Sequence, residues 1–263
     1  MNRAKGNGAV EALFDLSGRG ALVTGGSRGI GKAIAQVLIQ AGAEVAITGR
    51  SQQALDAAQE EFSASFGGGV HTLAVDHAEW ERSAEWVALA EERLGGGGVD
   101  ILVNNAVQYP AKRPLEEIDD RSWSHVQTLN LFAPMALAPA AAPAMKRKNW
   151  GRILNISSYW GVFGAEKRSA YITSKSGLIG LTKALAAELG PFGISVNAIA
   201  PGAIRTAMTE TNWRKSENAH LPFPIGRWGE PEEIAGMALA LLADTGNYIT
   251  GQTIRIDGGA SAI

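Results

Sequence analysis

From residue 20 onward, short apolar runs alternate with longer stretches in which apolar residues recur at helical spacing. The runs at 20–24, 44–49, 70–75, 100–104, 151–156, 193–199 and 252–256 predict strands. The stretches near 29–41, 51–65, 79–94, 120–147, 168–190 and 231–243 predict helices. Strands that alternate with helices in this way imply a parallel sheet covered on both faces, an α/β architecture with seven strands. Gly67-Gly68-Gly69 and Gly95 to Gly98 punctuate turns. Pro134, Pro139 and Pro143 all fall inside the helix between the fourth and fifth strands, and a kink or break is expected at Pro139. No repeat and no linker divides the chain. One domain is expected over residues 15–263, preceded by a flexible tail over 1–14.

Composition narrows the function classes. At 263 residues and 46% hydrophobic content, the chain can bury one large core. A net charge of −2 gives no electrostatic reason to expect nucleic acid or an anionic membrane as partner. The chain has no cysteine, which excludes disulfides and thiolate chemistry. His71, His77, His125 and His220 lack metal-ligand spacing, so no metal is expected. Met1 to Gly8 carries no apolar run of the signal-peptide kind, and no stretch approaches a membrane span; a cytoplasmic location is expected.

The candidate chemistry centres on Tyr171-Ile-Thr-Ser-Lys175, with Ser158 thirteen residues earlier. A tyrosine and a lysine four apart project from one helix face. A free phenol titrates near pH ~10 and is about 0.1% ionised at neutrality, and a neighbouring ammonium favours the phenolate. With a serine hydroxyl to bond a substrate oxygen, this is a proton-transfer site for interconverting an alcohol and a carbonyl. Near the other end, Thr24-Gly25-Gly26-Ser27-Arg28-Gly29-Ile30-Gly31 joins the first strand to the first helix, and its glycines let a phosphate approach backbone N–H groups at a helix start. The strict G-x-G-x-x-G pattern is absent, since Ile34 stands at its third glycine; G-x-x-x-x-G-K fits Gly26 to Lys32, but Ala33 replaces the magnesium-binding hydroxyl. The glycine loop, Gly49-Arg50, Asp76, Asn104-Asn105, Ser157-Ser158 and Pro201-Gly202 each follow a strand, at the sheet edge where open parallel sheets bind ligands.

These motifs, in this order with Asn130 between them, resemble the short-chain dehydrogenase/reductase family over about residues 15 to 260. The resemblance implies a single Rossmann-like doubly wound domain and a homodimer or homotetramer, with the long alanine-rich helices 120–147 and 168–190 suited to pairing between subunits. It implies that Tyr171 is the general acid, that Lys175 depresses its pKa and bonds the nicotinamide ribose, that Ser158 polarises the carbonyl, and that Asn130 holds a water reaching Lys175. Cofactor contacts are implied for Thr24, Gly25, Ser27, Arg28, Gly29, Ile30, Gly31, Asn104, Ala106, Tyr171, Lys175, Pro201 and Gly202, for Asp76 at the adenine, and for Ile204 and Thr206 at the carboxamide. The cofactor type follows from charge as well. Gly49 stands where an acidic residue would grip a ribose hydroxyl, while Arg50 and Arg28 offer planar forks for a 2′-phosphate, so NADP(H) is expected.

Val107 departs from the family's N-N-A-G; a β-branched residue resists positive φ, so ordinary or shifted backbone is expected there. A substrate lid is expected over about 203–225, where Trp213, Met208, Leu221 and Phe223 lie, with Tyr109 and Tyr159 adding aromatic walls to the substrate site. Lys167 and Arg168, just before Tyr171, read either as a draw for an anionic substrate or, as the commoner case, as a solvated turn. Asn149 and Phe192 occupy positions where carrier-protein reductases of the family place arginines, which counts against fatty-acid elongation. The resulting reading is an NADP(H)-dependent enzyme interconverting a ketone and a secondary alcohol, with carrier-linked 3-oxoacyl reduction or sugar-acid (gluconate-type) oxidation as narrower alternatives. A non-catalytic redox sensor and a non-redox enzyme on the same scaffold are the alternatives from other classes.

Overall fold

The computed structural model describes residues 7–68, 70–95, 97–215 and 223–262. Seven strands, β1 (Gly20–Val23), β2 (Glu44–Gly49), β3 (Val70–Ala74), β4 (Ile101–Asn104), β5 (Gly151–Ile156), β6 (Ile194–Pro201) and β7 (Thr253–Ile256), form one sheet in the order β3-β2-β1-β4-β5-β6-β7. Every neighbouring pair is parallel, with Ala21 registered against both Val45 and Ile101. The period-two alternation is legible in the packing. Ala21, Val23, Val45, Ile47, Ile101 and Val103 point into one core, while Leu22, Ala46 and Leu102 point into the other.

The helices cover both faces: α1 (Asn7–Phe14), α2 (Gly29–Gln40), α3 (Gln52–Phe66), α4 (Ser83–Arg93), α5 (Asp120–Gln127), α6 (Ala133–Lys148), α7 (Ser169–Leu189), α8 (Glu210–Lys215) and α9 (Pro231–Leu242). Residues of α2, α3 and α9 pack into the first core and those of α4, α6 and α7 into the second. The chain reverses direction across the sheet between β1 and β4, which opens a crevice at the carboxyl ends of those strands.

Three expectations need correction. Residues 7–14, placed in a flexible tail, form α1; residues 1–6 lie outside the described residues. No break occurs at Pro139: α6 runs through Pro139 and Pro143. The irregularity sits upstream, where residues 128–132 form a π turn. Pro134 lacks an N–H and its ring crowds the preceding turn, so the helix widens just before it. Third, the continuous helical stretch Asp120–Lys148 is long and apolar enough to cross a membrane by composition. Leu137, Ala138, Ala141 and Met145 are nonetheless buried within the domain, as in a core helix.

Candidate active site

A cleft of about 430 Å³ opens along the carboxyl ends of the strands. Its first wall is the turn from β1 into α2. Gly25 has φ 65°, and a Cβ there would lie 3.1 Å from the Ala106 Cα; a Cβ on Gly31 would lie 2.4 Å from Asn105 Nδ2. Both glycines therefore let the β1–α2 turn close against the end of β4. Asn105 Nδ2 holds that contact by donating to the carbonyls of Thr24 (2.9 Å) and Gly25 (3.0 Å). No side chain caps the N-terminus of α2, so its first N–H groups are available to an anion in the cleft. Gly25, Ser27, Arg28, Gly29, Ile30, Arg50, Asp76 and Ala106 line the cleft as expected. Arg28 and Arg50 are exposed, and neither pairs with a carboxylate among the described residues.

The second wall is aromatic. Tyr171 and Lys175 lie buried on α7, with Ser158 at the end of β5, and all three face the cleft. Tyr109 meets the Tyr171 ring edge-on at 5.1 Å and Trp160 meets it at 6.4 Å. Trp160 in turn stacks on Tyr159 at 5.1 Å. Pro201, Gly202, Ile204 and Thr206 complete the floor, where a Cβ on Gly29 would approach Thr206 Cγ2 to 3.3 Å.

The electrostatics of the site are set mainly by burial. Burial pushes the Tyr171 phenol well above its ordinary value, and only a hydrogen bond with Ser158 and the charge of Arg168 pull it back. Lys175 is turned to the backbone of β5. Its Nζ donates to the Ile156 carbonyl at 2.7 Å and sits 5.9 Å from the centre of the Tyr171 ring, while burial lowers its own pKa to about 7. An ammonium half-neutralised by burial is a weak cation but a ready proton carrier.

Several expected contacts lie behind the cleft. Thr24 is buried: its Oγ1 donates to the Val103 carbonyl and accepts from the N–H groups of Asn105 and Ala106, so it shapes the loop without facing the cleft. Gly31 likewise acts through the contact just described. Asn104 Nδ2 donates to Asn155 Oδ1 at 2.8 Å, and Asn155 Nδ2 donates to Thr182 Oγ1 at 2.9 Å, a buried chain tying β4 and β5 to α7. Alternation along β4 points Asn104 inward and leaves the cleft to Asn105, which the expectation omitted.

Asn130 is also buried. Its Oδ1 accepts from Gln108 N at 2.7 Å, and its Nδ2 donates to Gln108 O and Ser174 Oγ. The side-chain amide is thus engaged with Gln108 and Ser174, and the main-chain carbonyl faces Pro134 four residues on, which has no N–H to donate. Trp213 stands outside the cleft, with Arg205 and Arg214 over its ring; Met208, Thr209, Asn212 and Phe223 line that side instead. Leu221 and His220 lie outside the described residues. Val107 keeps ordinary backbone, since only Asn149 and Lys167 among the described non-glycine residues have positive φ. Ser157 donates to the Lys175 carbonyl at 2.9 Å, which leaves Ser158 as the hydroxyl beside the phenol.

Sequence reasoning missed His77 and left Arg168 between an anion-drawing residue and a solvated turn. His77 is buried under the cleft with Nε2 2.7 Å from Thr48 Oγ1, and burial lowers its pKa to about 4, so it is neutral. Nothing in the sequence signalled this. Arg168 is not solvated: only 6% exposed, it lines the cleft and donates from Nη1 to the Pro110 carbonyl at 2.6 Å. The signal was the positive charge three residues before Tyr171.

Comparison with known proteins agrees with this geometry. A family model described as Enoyl-(Acyl carrier protein) reductase matches residues 25–261. The chain is 39% identical over 247 residues to a 3-oxoacyl-acyl-carrier-protein reductase of Aquifex aeolicus, covering 93% of this chain and 98% of that one. It is 35% identical over 255 residues to gluconate 5-dehydrogenase of Gluconobacter oxydans, covering 94% and 96%. The crystal structure of a gluconate 5-dehydrogenase from Burkholderia cenocepacia in complex with NADP and tartrate superposes with a TM-score of 0.88 at 30% identity, covering 97% of this chain and 99% of that one. With the all-parallel sheet, the glycine turn and the Ser158, Tyr171 and Lys175 cluster in one cleft, the chain belongs to the short-chain dehydrogenase/reductase family and is an oxidoreductase of alcohol and carbonyl groups.

Proposed function

We propose that this protein interconverts a ketone and a secondary alcohol with NADP(H). The observation that carries the reading is the convergence of the Ser158 hydroxyl, the Tyr171 phenol and Lys175 in the cleft that Arg28 and Arg50 also line. The dinucleotide, when bound, supplies or accepts the hydride. Its pyrophosphate suits the uncapped N-terminus of α2, and its 2′-phosphate suits Arg28 and Arg50, at the end of β2 where Gly49 leaves no competing carboxylate.

Tyr171 keeps its proton at neutral pH because burial disfavours the phenolate, which makes it a competent acid for a substrate oxygen that gains negative charge. Ser158 donates to the same oxygen and holds it next to the phenol. Lys175, with a pKa near neutrality, returns a proton to Tyr171, and Asn130 seats the water that resupplies Lys175 through its main-chain carbonyl, to which Pro134 has no N–H to donate. In the oxidative direction each proton runs the other way.

We further propose a homodimer or homotetramer, supported by the half-exposed apolar residues Phe132, Met135, Val162 and Phe163. A cytoplasmic location suits a chain without cysteine. The test is NADPH and NADH in parallel against a panel of ketones: β-keto thioesters, keto sugar acids, keto acids and bicyclic ketones. Loss of nicotinamide absorbance with NADPH and one ketone class is expected. Tight NADPH binding with no turnover on any ketone would replace the reading with a cofactor sensor.

A further inference from the structure

We propose that Arg168 is the anchor for a carboxylate on the substrate, so that the ketone handled by this enzyme is a keto acid. The inference rests on the oxidoreductase reading and names its substrate class.

Arg168 is placed with care at a cost. Lys167, just before it, has φ 60°, a left-handed backbone that a non-glycine residue adopts only when its surroundings enforce it. The enforcement is visible: Arg113 N donates to the Lys167 carbonyl at 3.2 Å and Arg168 Nη1 donates to the Pro110 carbonyl, so the 110–113 segment and the start of α7 clasp each other. The turn directs Arg168 inward, against the faces of Tyr109 (4.5 Å from guanidinium carbon to ring centre) and Trp160 (5.1 Å).

Those rings cushion the charge through cation–π attraction, but they accept none of the N–H groups that radiate in the guanidinium plane. Nε is buried without a hydrogen-bond partner, and no carboxylate pairs with Arg168 among the described residues. Burying a charge without a counter-charge is expensive. The planar fork matches the two parallel oxygens of a carboxylate, and such a ligand supplies both the missing charge and the missing acceptors.

The location fits a substrate rather than a cofactor. Arg168 lies beyond β4 and β5, whereas Arg28 and Arg50 lie at the β1 and β2 end of the sheet. Its charge acts on the phenols of Tyr109, Tyr159 and Tyr171 together, which places it on the reactive side of the cleft. Lys112, in the same lining, adds a second positive charge. Lys175, also in the lining, is held at the Ile156 carbonyl, and Asp257, outside it, acts on Tyr159.

The experiment is reduction of straight-chain keto acids and their methyl esters, paired by length, with NADPH, in wild type and in the Arg168→Gln and Arg168→Lys variants. The wild type is expected to favour acid over ester by about 100-fold in kcat/KM. Arg168→Gln is expected to lower that ratio about 30-fold, mainly through KM on the acid, and Arg168→Lys to hold an intermediate ratio because it keeps the charge and loses the fork. Equal losses on acid and ester would assign Arg168 to the clasp and the Tyr171 environment alone and overturn the proposal. A wild type indifferent to the ester substitution overturns it too. If the variants do not fold, the wild type decides. Calorimetric titration of the NADPH-loaded protein with butyrate is expected to give binding at least tenfold tighter than butyramide, and equal binding overturns the anchor. Failure of the oxidoreductase reading looks different: no acid or ester consumes NADPH, while the butyrate titration still reports on Arg168 by itself.

Discussion

The two halves of the cleft are made of different materials. The half under β1 and β2 is largely backbone: a glycine turn, an uncapped helix start, and two exposed arginines that pair with no carboxylate among the described residues. The half beyond β4 and β5 is side chain: Tyr109, Tyr159 and Trp160 from two separate loops, and Tyr171 from α7 with Arg168 just before that helix, locked by ring contacts and one guanidinium. Backbone recognition of a pyrophosphate serves any dinucleotide enzyme, so it is set by local geometry. Substrate recognition depends on which side chains distant segments bring together. Tyr171 stands at the seam.

The largest expected effect is at that seam. Tyr171→Phe keeps the ring contacts with Tyr109 and Trp160 and removes only the hydroxyl, so kcat/KM falls by about 10³-fold while NADPH affinity stays within about twofold. Steady-state rates and a nucleotide titration check both numbers; a comparable loss of NADPH affinity would show that the two halves are not separable. Next comes Arg50→Asp, which acts on the backbone-built half alone. It exchanges attraction for repulsion at the 2′-phosphate and is expected to shift the NADPH-to-NADH ratio of kcat/KM by about 100-fold towards NADH. A ratio that does not move would remove Arg50 from phosphate recognition.

The same division explains what was legible in the sequence. The seven strands were readable because parallel strands buried on both faces are short continuous apolar runs, and the glycine turn because Gly25 and Gly31 answer a local need for close approach. Three kinds of position were not. Asn104 and Asn105 are adjacent and chemically identical, and only the strand's alternation decides which one faces the cleft. Thr24 and Asn130 bear polar groups that turned out to be spent on neighbouring backbone. Arg168 stayed between a solvated turn and a draw for an anion, because no sequence pattern announces that a lysine before it takes φ 60°. The π turn before Pro134, in place of a break at Pro139, shows the same limit: three prolines are visible in the sequence, but which of them the surrounding turns accommodate is a matter of packing.

A smaller effect, on stability, tests whether Lys175 is tuned by burial. Its folded pKa near 7 lies below the ordinary lysine value, so between about pH 7 and 10.5 the unfolded chain binds more protons than the folded one, and stability from this group rises with pH across that window. Below pH 7 the full penalty of burying the group remains. Lys175→Met is therefore expected to melt a few degrees above wild type at pH 6.5, with the gap narrowing towards pH 9.5. A gap independent of pH would mean that Lys175 is already fully charged in the folded protein.

The smallest expected effect probes the chain of amides behind the cleft. Thr182→Val preserves shape but leaves Asn155 Nδ2 without its acceptor, costing about 1–2 kcal/mol in urea unfolding. Asn104, at the far end of that chain, was expected to touch the cofactor, and its side chain braces β4 against β5. If bracing is all it does, KM for NADPH stays within about twofold, because Asn105 and Ala106 are held by Thr24 and Gly25 by Asn105, none of them by Asn155. A tenfold rise would mean that the side-chain lattice under α7 sets the position of the glycine turn, and the boundary between the two halves would have to move from Tyr171 to β4.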